Sequence, residues 1–188
     1  MQPAPLIASL LLLAAPAAGQ DLLFDHLART DGLPGDEVLA LHEDRHGFIW
    51  IGTATGLARH EGIRIRTWHH DRKDPRSLPN STIWDIAEDD AGTIWIATDH
   101  GLAAYDERRG DFQRVYVTDG RRNPTSANRI HGMAPDGNGL LWLATEDGAH
   151  TIDLRTRTWR PLPPGADSPR LTRPPRATHL VRDTVLNG

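Results

Sequence analysis

One stretch, Gly47 to Leu57 with the sequence GFIWIGTATGL, recurs as GTIWIATDHGL at Gly92 to Leu102 and as GLLWLATEDGA at Gly139 to Ala149. The tryptophans at its centre, Trp50, Trp95 and Trp142, stand 45 and 47 residues apart. Repetition at that interval marks a propeller or a solenoid and constrains the chain more than its composition does.

The repeated unit has the period of a strand. Ile49, Ile51 and Thr53 fall on one face, and Phe48, Trp50 and Gly52 on the other. The copies keep this scheme, with Ile94, Ile96 and Thr98 against Thr93, Trp95 and Ala97, then Leu141, Leu143 and Thr145 against Leu140, Trp142 and Ala144. Both faces are largely apolar, so each strand should be covered on both sides. A Gly or Ala follows each tryptophan on its own face, a large–small alternation suited to sheets packed about 10 Å apart. The tryptophans therefore read as core residues. Gly56, Gly101 and Gly148 precede the next strand and are expected to make tight turns at positive φ.

Taken in order, Met1 to Gly19 is an apolar leader whose run Leu6 to Ala15 has the length of a signal-peptide core. It carries no Lys or Arg, and its small residues Ala15, Ala17, Ala18 and Gly19 offer a cleavage site. Residues 20–30, around Phe24, read as an outer strand that would close a ring. Three strand meanders follow at 36–68, 82–117 and 129–162. In each of them an apolar residue stands 12 positions before the tryptophan (Val38, Ile83, Ile130). Residues 177–188 match the start of a fourth meander. The fold class is all-β, with four-stranded antiparallel meanders arranged as propeller blades. Asp74-Pro75-Arg76-Ser77 in the first connector answers Asn123-Pro124-Thr125-Ser126 in the second, a repeated turn device. The third connector, from Pro161, reads as a surface loop.

The succession DGLP, EDRHGFIWIGTATGLARHEG and DPRSLPNSTIWDIAEDDAGTIWIATDHGLAAYD resembles the two-component-regulator propeller repeat, over about Asp21 to Asp153. The third copy departs from it at Ala134-Pro135-Asp136 and at Ala149. The resemblance implies a periplasmic, ligand-binding, usually seven-bladed propeller in a bacterial membrane receptor. The output domain would be a histidine kinase or a diguanylate cyclase. The chain would then hold about three full blades and be an N-terminal piece of such a sensor, exported by its leader. Its partners would be a small-molecule or glycan ligand, the rest of its own receptor and, at full length, a second copy.

Chemistry is sparse by comparison. No cysteine is present, which excludes disulfides and thiolate sites. A net charge of −4 argues against nucleic acid. Glu43-Asp44 and Glu88-Asp89 are paired carboxylates, but they recur before a turn and read as caps rather than catalytic acids. The imidazoles of His69-His70 point apart on a strand, and no third metal ligand is signalled. The loop Asp136 to Gly139 lacks the acid that would complete a calcium loop. The expectation is no catalytic residue, no metal and no cofactor. A propeller lyase or glycosidase and a protein-binding scaffold stand as the alternatives.

A ligand is expected at one end of the blades. In a meander the turn between the second and third strands lies at the same end as the connector between blades. That end collects His69, His70, Asp99, His100, Arg121, Arg122, Glu146 and Asp147, its most polar loops.

Overall fold

The computed structural model describes residues 27–116 and 126–162. The leader, the Phe24 strand from 20 to 26 and the match at 177–188 lie outside them, as does most of the third connector. Arg29–Asp31, at the end of the expected closing strand, form a 3-10 turn closed by Gly32.

Three four-stranded antiparallel sheets follow, each in simple meander order. The first contains β1 (Val38–Glu43), β2 (Ile49–Thr53), β3 (Leu57–His60) and β4 (Ile65–Trp68). The second contains β5 (Ile83–Glu88), β6 (Ile94–Thr98), β7 (Gly101–Asp106) and β8 (Asp111–Val115). The third contains β9 (Ile130–Pro135), β10 (Leu140–Thr145), β11 (Gly148–Asp153) and β12 (Thr158–Pro161). The first strands β1, β5 and β9 pair on one side only and lie beside one another, which makes them the inner strands of three propeller blades.

The core lies between sheets. Trp50 and Leu57 of the first blade pack on Ile94, Ile96 and Tyr105 of the second. Trp95, Ala97 and Leu102 of the second pack on Leu141, Leu143 and Ile152 of the third. Ile51 and Ala58, on the other face of the first blade, are covered by Leu33. The expected alternation therefore holds, with tryptophans facing forward and isoleucines back. Trp50 and Trp95 are fully buried. Trp142 is only half-buried, because no sheet among the described residues covers its face.

The aspartate of each acidic pair caps a turn, while Glu88 serves as a partner for the neighbouring blade. Asp44 accepts the amides of His46 and Phe48, and its other oxygen accepts Trp50 Nε1 at 2.8 Å. Asp89 likewise accepts Thr93 N and, at 2.9 Å, Trp95 Nε1. One carboxylate thus fixes both a hairpin turn and the ring in the core. Arg45 then crosses to the next blade, where it bonds the Glu88 carboxylate and the Asp89 carbonyl.

The glycine turns need a correction at one copy. Gly101 and Gly148 have φ of 121° and 113°. Gly56 does not have positive φ; a Cβ there would lie 2.8 Å from His69 Nδ1 and from Pro34 Cβ. Close approach, not handedness, requires glycine in that blade.

The first connector is pinned along its length. Leu78 is fully buried, Phe112 N donates to Arg76 O, and Arg114 donates to the carbonyls of Asp71, Asp74 and Ser77. Asp74 caps its Asp-Pro turn by accepting Arg76 N.

Candidate functional site

Each inner strand carries a one-residue bulge at the same place. Val38 pairs with Thr53 and Ala40 with Gly52, which leaves Leu39 without a partner. Trp84 and His131 stand in the same position in the second and third blades. A bulge re-aims the extra side chain out of the ladder. Since β5 and β9 are neighbours, the Trp84 and His131 rings meet edge to face, 5.3 Å apart.

This ring pair is tied to the loops at the blade ends. Trp84 Nε1 donates to Asp99 Oδ1 at 3.3 Å, in the turn between β6 and β7. Arg129, just before β9, brings Nε to 3.5 Å from the same oxygen. Its Nη1 donates to both carboxylate oxygens of Glu146, at 3.1 and 3.2 Å. The result is a continuous line, His131–Trp84–Asp99–Arg129–Glu146, across the inner rim of two blades. It offers an aromatic face, a guanidinium and two carboxylates. Such a set suits a ligand with one flat apolar face and several hydroxyl or amide groups.

Beneath it, Asp85 joins the blades from inside. Met133 N donates to its Oδ2 at 2.6 Å and Ile86 N to its Oδ1 at 2.9 Å. Burial pushes the Asp85 carboxyl up to about 6, against the opposing pull of those two amides. A carboxyl raised from 3.8 to about 6 holds its proton longer in the folded chain than in the unfolded one. Its contribution to stability is therefore complete below pH 3.8 and is lost as pH rises through 6, a fall of roughly 3 kcal/mol. Asp85→Asn is expected to flatten this fall, read as the difference in urea midpoints between pH 4.5 and 7. Equal slopes in the two proteins would contradict the assignment.

The expected site residues divide into groups. Asp99 and Glu146 meet through Arg129, which the sequence did not single out. Asp147 lies exposed in the same turn as Glu146, where its amide donates to Thr145 Oγ1. His100 is exposed, and its ring stands 6.4 Å from that of Tyr116. His69 and His70 do not join the line: their Nδ1 atoms lie 3.0 Å from the Thr55 carbonyl and 2.7 Å from the Leu78 carbonyl, and so fasten the first connector. Arg121 and Arg122 lie outside the described residues. Trp84, Arg129 and His131 were missed. A trace of Trp84 and His131 was present in that position two of the three inner strands reads Leu, Trp, His, three different chemistries at one repeat position.

The sequence model of the two component regulator propeller matches residues 32–55, 77–100 and 125–147, one stretch in each blade. No curated protein matches the chain. Among solved structures it is similar to the extracellular domains of two B. thetaiotaomicron proteins described as hybrid two component systems. One is 23% identical over 73% of this chain with a TM-score of 0.65. The other is 28% identical over 64% with a TM-score of 0.55. The chain spans 20% and 17% of the lengths of those structures. A virginiamycin B lyase from Staphylococcus aureus is 17% identical over 69% of this chain and 42% of its own, with a TM-score of 0.51, which is a likeness of fold. The three sheets are propeller blades, and the chain carries a run of two component regulator propeller repeats.

Proposed function

We propose that this chain is the extracytoplasmic, ligand-sensing propeller of a bacterial signal-transduction receptor. In that reading its full-length form carries a histidine kinase or diguanylate cyclase output, and the chain itself is not catalytic. The observation that carries the proposal is the rim line from His131 to Glu146, built by equivalent bulges of adjacent repeats. The repeat family and the extracellular setting of the two similar structures support the sensing role and a periplasmic location. The ligand is a small molecule or a glycan, stacked on Trp84 and hydrogen-bonded by Arg129, Asp99 and Glu146.

Trp84→Ala and Arg129→Ala in the full receptor should each move the dose–response curve at least tenfold to higher ligand, while His69→Ala should leave it in place. Loss of one stacked ring or one charge-assisted hydrogen bond is worth about 1.4 kcal/mol or more, which is that tenfold. Wild-type dose curves in both rim variants would sink the proposal.

A further inference from the structure

A second feature lies at the other end of the blades, where the turns between third and fourth strands emerge. In the second blade that turn runs Asp106 to Gly110. Asp106 Oδ1 accepts the amides of Arg108 and Arg109, Gly110 N donates to Asp106 O, and Gly110 has φ of 72°. The third blade repeats it from Asp153 to Arg157. Asp153 Oδ1 accepts the amides of Arg155 and Thr156, and Arg157 N donates to Asp153 O. The residue in glycine's place is now an arginine at φ 59°, the sole non-glycine with positive φ among the described residues. That conformation costs an L-residue about 1–2 kcal/mol. Backbone strain of this kind points to a function for the side chain it delivers.

The side chain is delivered into a groove of about 750 Å³ along the second blade and the first connector, to whose lining Arg157 is the third blade's contribution. Its guanidinium covers the Trp95 ring at 4.3 Å, and Nη1 is buried without a hydrogen-bond partner. Burial pulls the proton affinity of Arg157 below the usual arginine value, against the attraction of the Asp89 carboxylate.

The groove is lined by Arg76, Arg108, Arg109, Arg114 and Arg157, with Asp106, Glu107 and Asp111. All three carboxylates have cationic partners. Asp111 pairs with Arg76, Asp106 with Arg109, and Glu107 with Arg59. Arg114 is held by backbone carbonyls. Arg108, Arg114 and Arg157 make no ion pair within 4 Å among the described residues, although Asp89 lies near enough to Arg157 to attract it.

We propose that this groove is a binding site for a small oxyanion-bearing molecule, whose sulfate, phosphate or carboxylate group bonds the Arg157 guanidinium and is flanked by Arg108 and Arg114. A planar guanidinium presents paired donors that suit such a group, and a cleft whose arginines outnumber its carboxylates draws it in. The aromatic support beneath Arg157 fixes the fork in place before the anion arrives.

Calorimetric titration of the whole chain with sodium sulfate, sodium phosphate and sodium glucuronate, each referenced to sodium chloride at equal ionic strength, tests this. At least one should bind with unit stoichiometry, and the best of the three identifies the group. Arg157→Gly places in the third blade the residue the second blade uses. It should melt within a few degrees of wild type and bind at least tenfold more weakly. Arg108→Ala, at an exposed position, should bind several-fold more weakly. If Arg157→Gly melts low, Arg157→Gln decides: lost binding supports the site and retained binding overturns it. No binding above chloride by any of the three anions, or wild-type affinity in Arg157→Gly, also overturns it.

Discussion

Trp95→Ala lowers the unfolding free energy by about 3–5 kcal/mol, the range for truncating a fully buried large aromatic. Three things are lost together. The ring leaves a cavity bordered by Leu102, Ile130, Leu141 and Leu143, which belong to two different sheets. The Asp89 carboxylate, itself buried, loses its Nε1 donor. Arg157 loses the face it covers. Trp142→Ala removes the same residue from the same repeat position, but the ring is half-buried, so it should lose well under half as much. Urea denaturation followed by far-ultraviolet circular dichroism gives both values. A loss below about 1 kcal/mol for Trp95→Ala would contradict its place between the sheets.

Arg59→Ala is expected to lose about 2–4 kcal/mol, for a different reason: a buried stem and its charge-assisted hydrogen bonds go together. Arg59 is 5% exposed and donates Nε and Nη2 to Glu61, at 2.9 and 2.6 Å, and Nη1 to Glu107 at 3.0 Å. Its guanidinium carbon lies 5.0–5.9 Å from the centres of the Phe48, Trp50, Trp68 and Tyr105 rings. Burial works against its charge, but Glu61, Tyr105 and Glu107 outweigh it and raise its proton affinity. Glu107 and Tyr105 belong to the second blade, so the cation makes one ion pair within its own blade and a second that joins the two. Arg59→Met separates the contributions, since it keeps the contact with the rings and removes the charge. Recovery of more than half the loss in Arg59→Met would assign the effect to packing; recovery of little would assign it to charge. Thermal melts of the two variants read this directly, and a wild-type melt for Arg59→Ala would refute the clamp.

Much of this molecule can be read from periodicity. The step between tryptophans and the alternation around them specify three meanders, their faces and their order, because every strand obeys the period of two. The acidic pairs read as turn caps, though not as partners of the indoles, since that bond joins residues six apart across a turn. The rim was harder. Counting alternate residues through Ile83-Trp84-Asp85 puts Trp84 opposite Ile83 on a regular strand. A single unpaired residue shifts that count by one and turns the side chain out of the sheet. Arg129 was hidden for a related reason. It precedes a strand in a connector, where nothing local marks it, and gains meaning only because Asp99 and Glu146 come from two neighbouring turns. Arg157 carries no local signal in the sequence; only its backbone angle sets it beside Gly110.

The bulges at Leu39, Trp84 and His131 carry a consequence for how such chains diverge. A residue in a paired ladder answers to its cross-strand partner and to the sheet above it, so most substitutions there are removed by selection for folding. A residue that has left the ladder answers to neither. Leucine, tryptophan and histidine occupy the same place in three blades whose first two strands pair in the same register. Mutation can therefore rewrite the rim one blade at a time, exchanging one recognition chemistry for another, while the tryptophans behind it go on holding the sheets together.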